Sequence, residues 1–416
     1  MHRWGTHVSA RVVITGMSGI SSLGDDWQTI RENIRAGRSG IRYMKDWARY
    51  EGLNTLLGGP VPDFRTPEHY TRKRIRAMGR VALFSTVTTE RALEQAGLLD
   101  DPVVSSGETG IAYGSSSGSP DAIGDFGAML HDYSTRTINA TSYIRMMSHT
   151  AAVNTGLFFR IRGRLMSTST ACTSGSQAIG YAYEAIRGGA QKVMIAGGTE
   201  ELSPTQAAVF DTLFATSIQN DTPDKTPRPF DRDRDGLVIG EGAASFVLED
   251  LDSAKQRGAT IIAEVLGFAT NCDAIHVTQP TAETMEVAMR LGLEDANLDP
   301  AAIGYVSAHG TATDLGDVAE TQATSAVFGS KMPISSLKSY FGHTLGACGA
   351  QEAWLTLEMM NCDEFSPTLN LENLDPRCGE LDYIVNEPRQ ISTEYVMSNN
   401  FAFGGVNTSL VFKRWS

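Results

Sequence analysis

Short apolar runs alternate with helical patterns along the chain, and that alternation restricts it to the α/β class. Arg11–Val12–Val13–Ile14–Thr15 reads as a buried strand stopped by Gly16 and Gly19. A helix follows from Asp25–Asp26 through Trp27, Ile30 and Ile34, whose spacing gives one apolar face. Further strands are expected at 110–114, 192–196 (ended by Gly197–Gly198), 243–248, 261–268 and 304–308. Runs apolar at consecutive positions belong to sheets covered on both faces. At 416 residues the chain accommodates two to three domains or a fused pair of similar units. Thr109 to Ser116 and Ala302 to His309 echo one another, each a short apolar strand running into a hydroxyl-rich turn. Arg11 to Thr15 and Thr260 to Val265 each open a half, so the halves are expected at 1–257 and 258–416.

Composition removes several function classes. The net charge of −13 argues against non-specific nucleic-acid binding. No apolar run reaches the roughly 18 residues of a membrane helix. Met1 to Ala10 lacks the apolar stretch of a secretory signal. The five Cys are odd in number, with no C-x-x-C spacing. A reduced cytoplasmic enzyme is expected, not a disulfide scaffold or a zinc ribbon.

Cys172 lies in Thr170–Ala171–Cys172–Thr173–Ser174–Gly175, directly before a helix with Ala178, Ile179, Ala182, Ala185 and Ile186 at helical spacing. A thiol at a helix N-terminus meets free N–H groups and partial positive charge, so its pKa is expected to fall. The same N–H groups suit an oxyanion. Cys272, Cys362 and Cys378 lack that setting, and a small buried residue is the plain reading for every Cys but Cys172.

His309 ends a strand in Ala308–His309–Gly310–Thr311–Ala312–Thr313. Lys338 and His343 lie in Lys338–Ser339–Tyr340–Phe341–Gly342–His343, where glycines imply close backbone contact. Singly, each residue also reads as structural or as an ion-pair partner. A metal site would need short-range ligand pairs such as H-x-x-x-H, which are missing. A Cys–His hydrolase would need one His and an orienting Asn or Asp; two glycine-bracketed His and a Lys point to different chemistry. Asn400–Phe401–Ala402–Phe403–Gly404–Gly405 forms a glycine-rich turn with two aromatics, fit either to pack or to gate an apolar pocket.

These four segments, in this order, resemble the signatures of β-ketoacyl-acyl carrier protein synthases of the elongating I/II type. Pro229 to Gly236, Gly240 to Ala243 and Val12 to Met17 are also similar to that family, so the resemblance spans residues 11–413. It implies a thiolase-like α/β fold of two similar halves in five αβαβα layers, and a homodimer or a heterodimer with a chain-length-factor-like subunit. It implies acyl transfer to Cys172, followed by decarboxylative condensation with malonyl carried on acyl carrier protein. No cofactor or metal is implied beyond the carrier's phosphopantetheine.

By position, His309 and His343 resemble the decarboxylating pair, and Lys338 the supporting cation with Glu320 as its carboxylate. The N–H groups of Cys172 and Phe403 resemble the oxyanion hole, with Phe403 as gate. Thr311 and Thr313 would contact the pantetheine arm, and Phe401 would line the substrate site. The chain departs from the family pattern at Ser117, where a bulky aliphatic residue usually lines the acyl channel, at Ala402 in place of Gly, and at Cys348 in place of Ala. Ser117 leaves room for an unusual acyl chain such as a polyene or polyketide intermediate. Arg72, Lys73, Arg74 and Arg76 form a basic cluster, and Arg136 resembles a docking position for the carrier; a solvated helix face is the plain reading of the cluster. A non-catalytic chain-length-setting subunit and a thiolase-type acyl-CoA transferase are the alternatives.

Overall fold

A computed structural model describes residues 9–416. The reading of the first ten residues falls almost wholly outside them. Ten strands matter for the site: β1 (Val12–Ile20), β2 (Thr109–Gly114), β3 (Leu165–Thr168), β4 (Val193–Glu200), β5 (Gly242–Asp250), β6 (Ala263–Cys272), β7 (Ile303–Ser307), β8 (Pro333–Ser335), β9 (Tyr395–Phe401) and β10 (Val406–Arg414). The helices that cover them are α1 (Arg80–Gln95), α2 (Thr150–Phe159), α3 (Ser174–Arg187), α4 (Ala282–Ala296), α5 (Asp314–Phe328) and α6 (Cys348–Asn361).

The strand order is β3-β2-β4-β5-β1, then β6-β10-β9-β7-β8, with Asp382–Tyr383 pairing at the far edge. The second run repeats the first in mirror sequence along the sheet. β2 pairs in parallel with β3 and β4, as β7 does with β8 and β9. β5 and β10 are the antiparallel members of their runs. The runs meet where β1 and β6 pair antiparallel, Val12 opposite Val265.

The helices repeat as well. α1 and α2 cover the outer face of the first run, and α4 with α5 that of the second. Between them lie α3 and α6, each touching strands of both runs, which gives five layers. α3 buries most of its length between the two sheet halves, with Ala178, Ile179, Ala182 and Ile186 packed beside Trp354 and Leu355 of α6 and Glu184 left at the surface.

Glycine was read as a strand stop, and here the structure differs. Gly16 and Gly19 lie inside β1, and Gly197 and Gly198 inside β4. The missing side chain serves close approach instead: a Cβ on Gly198 would stand 2.5 Å from the Gly346 carbonyl oxygen.

Candidate active site

Cys172 sits on a 3-10 turn, Ala171–Thr173, between β3 and α3. Ala171 takes a left-handed backbone at φ 49°, which turns the chain sharply before the helix. The sulfur is buried but lines a cleft of about 450 Å³. The backbone N–H groups of Phe403 and Cys172 lie near enough to the sulfur to favour its anion.

The thiol pKa corrects one expectation. Burial pushes Cys172 up to about 11, with Lys338 and the two N–H groups offsetting only part of that cost. At that value the neutral thiol is the favoured form of the buried sulfur. The helix N-terminal setting is not unique either, because Cys348 opens α6 after its own 3-10 turn, Leu345–Ala347. Cys348 is buried, lies outside the cleft lining, and directs its S–H to the Cys172 carbonyl oxygen at 3.2 Å.

His343 Nε2 is 3.0 Å from the Cys172 sulfur. Its Nδ1 accepts from the Leu345 N–H at 3.2 Å, so the ring proton belongs on Nε2. His309 follows β7, and its Nδ1 accepts from Lys338 Nζ at 3.1 Å and from Asn400 Nδ2 at 3.3 Å. Its proton therefore also sits on Nε2. One ring nitrogen of each His and the sulfur lie within 4.8 Å of one another. Burial and then the Lys338 charge hold both imidazoles well below the ordinary pKa, so both are neutral. A metal needs lone pairs, whereas both rings offer an N–H at Nε2; the cluster suits a developing anion better than a cation.

Lys338 follows β8 and is 1 % exposed. Its carboxylate partner is Glu352 of α6, in a direct ion pair, and not Glu320. Glu352 also accepts from Asn400 Nδ2 at 2.7 Å. Burial raises the Glu352 pKa and works against the ammonium, yet Lys338 stays above its ordinary value because acidic neighbours, Glu352 among them, face it. Glu320 has a different task. Its two oxygens accept from the N–H groups of His309 and Gly310 at 2.6 and 2.7 Å, which shapes the loop carrying His309. Burial pushes its carboxyl up to about 8.

Thr311 and Thr313 line the cleft with their hydroxyls 2.9 Å apart. Phe401 lines it near the His309 ring, and Phe403 packs tilted against Phe210 with ring centroids 5.0 Å apart. Ala402 keeps an ordinary backbone, while Gly404 and Gly405 take the positive φ angles of that loop. Ser117 is not in the cleft lining; its hydroxyl lies 3.3 Å from Glu200 and accepts from Gln206 at 3.1 Å. Arg72, Lys73 and Arg136 are exposed. Among the described residues no helix is long and apolar enough to cross a membrane.

Glu352 and Asn400 are the site residues that sequence reading did not assign. Glu352 had a signal: it stands four residues after Cys348, one turn from the helix start, and is one of two acidic residues, with Glu358, in a largely apolar helix.

Comparison with known proteins agrees with this geometry. The family model "Beta-ketoacyl synthase, N-terminal domain" matches residues 9–254, and "Beta-ketoacyl synthase, C-terminal domain" matches 262–372. The chain is 35% identical over 413 residues to 3-oxoacyl-[acyl-carrier-protein] synthase 2 of a Synechocystis strain, covering 97% of this chain and 98% of the relative. The crystal structure of a beta-ketoacyl synthase from Burkholderia phymatum superposes with TM-score 0.97 at 58% identity, covering 98% of this chain and all of that one. A solved complex of a type II polyketide acyl-carrier protein with its ketosynthase bound to the hexaketide is similar with TM-score 0.86 at 28% identity, over 98% of this chain and all of that one. With both models matched in order, one over Cys172 and the other over His309, Lys338 and His343, the chain belongs to the beta-ketoacyl synthase family, condensing enzymes of the acyltransferase class.

Proposed function

We propose that the enzyme transfers an acyl group from acyl carrier protein to Cys172 and then condenses it with malonyl on a second carrier. The observation that carries this reading is the cluster of one thiol and two neutral imidazoles whose ring protons sit on Nε2, that of His343 beside the sulfur. In the first step the sulfur attacks the thioester carbonyl, the carrier thiol leaves, and the Cys172 proton departs with it. The N–H groups of Cys172 and Phe403 meet the oxyanion.

In the second step the malonyl carbon–carboxyl bond breaks and CO₂ is released. Negative charge moves to the thioester oxygen, where the Nε2–H groups of His309 and His343 receive it. The enolate carbon attacks the acyl-Cys172 carbonyl, the carbon–sulfur bond breaks, and the thiolate regains a proton. Lys338 and Glu352 act through His309: the ammonium fixes its tautomer, and the carboxylate keeps the buried charge paired.

Thr311 and Thr313 are proposed to hold the pantetheine arm, Phe401 to line the substrate site, and Phe403 to gate it. Arg72, Lys73 and Arg136 are proposed to dock the carrier. The halves are read as 1–257, carrying the nucleophile, and 258–416, carrying the two His and the Lys. A cytoplasmic homodimer, or a heterodimer with a chain-length-factor-like subunit, completes the proposal. A wholly non-catalytic subunit is disfavoured by the intact cluster. A thiolase-type transferase is disfavoured because Cys348 does not face the cleft.

The test separates the two half-reactions. His309→Ala or His343→Ala should suppress CO₂ release from malonyl carrier protein about 10²–10³-fold, while acyl loading of Cys172 falls far less. Near-wild-type CO₂ release by either variant would refute the assignment.

A further inference from the structure

The cleft over Cys172 opens through a rim of apolar side chains. Phe214, Val277, Leu315 and Leu213 line the cleft and yet are 91 %, 66 %, 54 % and 46 % exposed, which places them at its mouth. They come from three separate segments: the turn after the short helix Pro204–Asp211, the stretch between β6 and α4, and the first turn of α5. The charged groups beside them offer little to an ionic partner. The Arg234 side chain is almost wholly buried and bonds to buried Asp375 at 2.7 Å, while Asp314 is paired with Arg377. His309 and His343 are buried, so His276 is the exposed basic residue of the lining among the described residues.

The aromatic is held out on a rigid turn. Phe214 takes a left-handed backbone at φ 54°, which is costly for a bulky side chain. The Phe214 N–H donates to the Asp211 carbonyl and the Ala215 N–H to the Phe210 carbonyl, each at 3.0 Å. Below them the Asp211 carboxylate accepts from the Thr216 hydroxyl at 3.0 Å and the Asn54 N–H at 2.9 Å. Such strain persists only where the surroundings over-determine it, and it gathers at functional sites. Val277 is tied down as well, its carbonyl accepting from the Gly404 N–H at 2.9 Å. A surface fixed in this way loses little freedom when a partner covers it.

One exposed apolar side chain means little, but four converging on one opening mark an interaction surface. The opening names its occupant. The cleft ends on Cys172, so a molecule that delivers a thioester there has its arm in the cleft and its body seated against the rim. We propose that this rim docks the acyl carrier protein through an apolar face beside the serine that bears its pantetheine, with Phe214 as the anchor. The inference rests on the reading of Cys172 as acceptor of carrier-bound acyl groups. It adds to Arg72, Lys73 and Arg136 a contact of the opposite kind, one that selects among carriers by apolar surface.

The experiment measures condensation with malonyl on acyl carrier proteins of the host, and with malonyl pantetheine, which has the arm but no protein body. Phe214→Asn suits the left-handed backbone and should raise KM for the carrier substrate about tenfold, as truncation of an aromatic anchor does. Leu315→Ser should give a smaller rise in the same direction. For both variants kcat, and both constants for malonyl pantetheine, should stay within about twofold of wild type. The loss should persist from ~0.05 to ~0.5 M salt, a range over which a contact between exposed charges is screened. Serine in place of the apolar residues beside the carrier's own serine should weaken wild type and add little to Phe214→Asn. An unchanged KM for carrier substrate, equal loss with both substrates, or a loss that salt abolishes would overturn the inference alone. So would a change of oligomeric state in Phe214→Asn, which would make a second copy of the chain the occupant. Absence of any Cys172 adduct or CO₂ from the wild-type enzyme would overturn the underlying reading instead, and the inference with it.

Discussion

Lys338 holds its ammonium 3.1 Å from Nδ1 of His309. A cation beside an imidazole normally repels protonation, and this one does so from the side away from the cleft. The ring is thereby kept neutral and its Nε2–H is left for substrate.

Glu352→Gln should disturb that arrangement more than its size suggests. It leaves the Lys338 charge buried without its counter-ion, a defect that typically costs about 3–5 kcal/mol. A lower melting temperature together with slower CO₂ release is expected. Glu320→Gln should instead act on the loop of His309 and leave the Lys338 pair intact. Equal melting temperatures for wild type and Glu352→Gln would show that the pair contributes nothing.

The two buried imidazoles make stability depend on pH. Each has a folded pKa well below 6.5, so below about 6.5 the unfolded chain binds protons that the folded one refuses. Their contribution should be complete above that value and should fall as pH drops, by up to about 1.4 kcal/mol per pH unit for each His, against an opposite slope from buried Glu320, whose raised pKa makes the folded state hold a proton that the unfolded chain gives up. Urea melts at pH 7 and pH 5.5 give the slope. His343→Gln should reduce it, and an unchanged slope would assign the acid sensitivity to other groups.

Alkylation of Cys172 reports on its raised pKa. The iodoacetamide rate should keep climbing with pH toward about 11, since only the thiolate reacts. A plateau below pH 8 would indicate a preformed thiolate. After loading with an acyl carrier thioester, peptide mapping should place the acyl group on Cys172, not on Cys348, which burial keeps as a thiol, nor on exposed Cys272.

Charge reversal at Arg72 and Arg136 should raise KM for carrier-bound substrate and spare a small pantetheine thioester. The effect should weaken in salt, as for exposed charges that steer encounter. Equal loss with both substrates would reject the patch.

Much of the site was legible because its chemistry is written in short segments: Cys172 before a helix, His309 and His343 beside glycines, Lys338 after a strand. What was not legible depends on which faces meet. Glu352 stands on another element, and only the packing of α6 decides that it, and not Glu320, faces the ammonium. The glycines of β1 and β4 misled for a related reason. Read locally they end strands; in the fold they admit a neighbour, and strand length is set by pairing that sequence alone does not display.

The repeated strand order gives Cys172 a counterpart. Leu345 has φ 47° where Ala171 has 49°, and each is followed by a 3-10 turn and a central helix, so Gly346 occupies the place of Cys172. A Cβ on Gly346 would meet the Ser116 nitrogen at 2.5 Å, and its own N–H is committed to Glu200. The second copy of the turn has become a buttress for the first. Chemistry cannot migrate to it by one substitution, because any side chain there would push apart the wall behind the nucleophile. The fold holds two copies of this turn, and the packing of one against the other leaves room for a reactive side chain at only one of them.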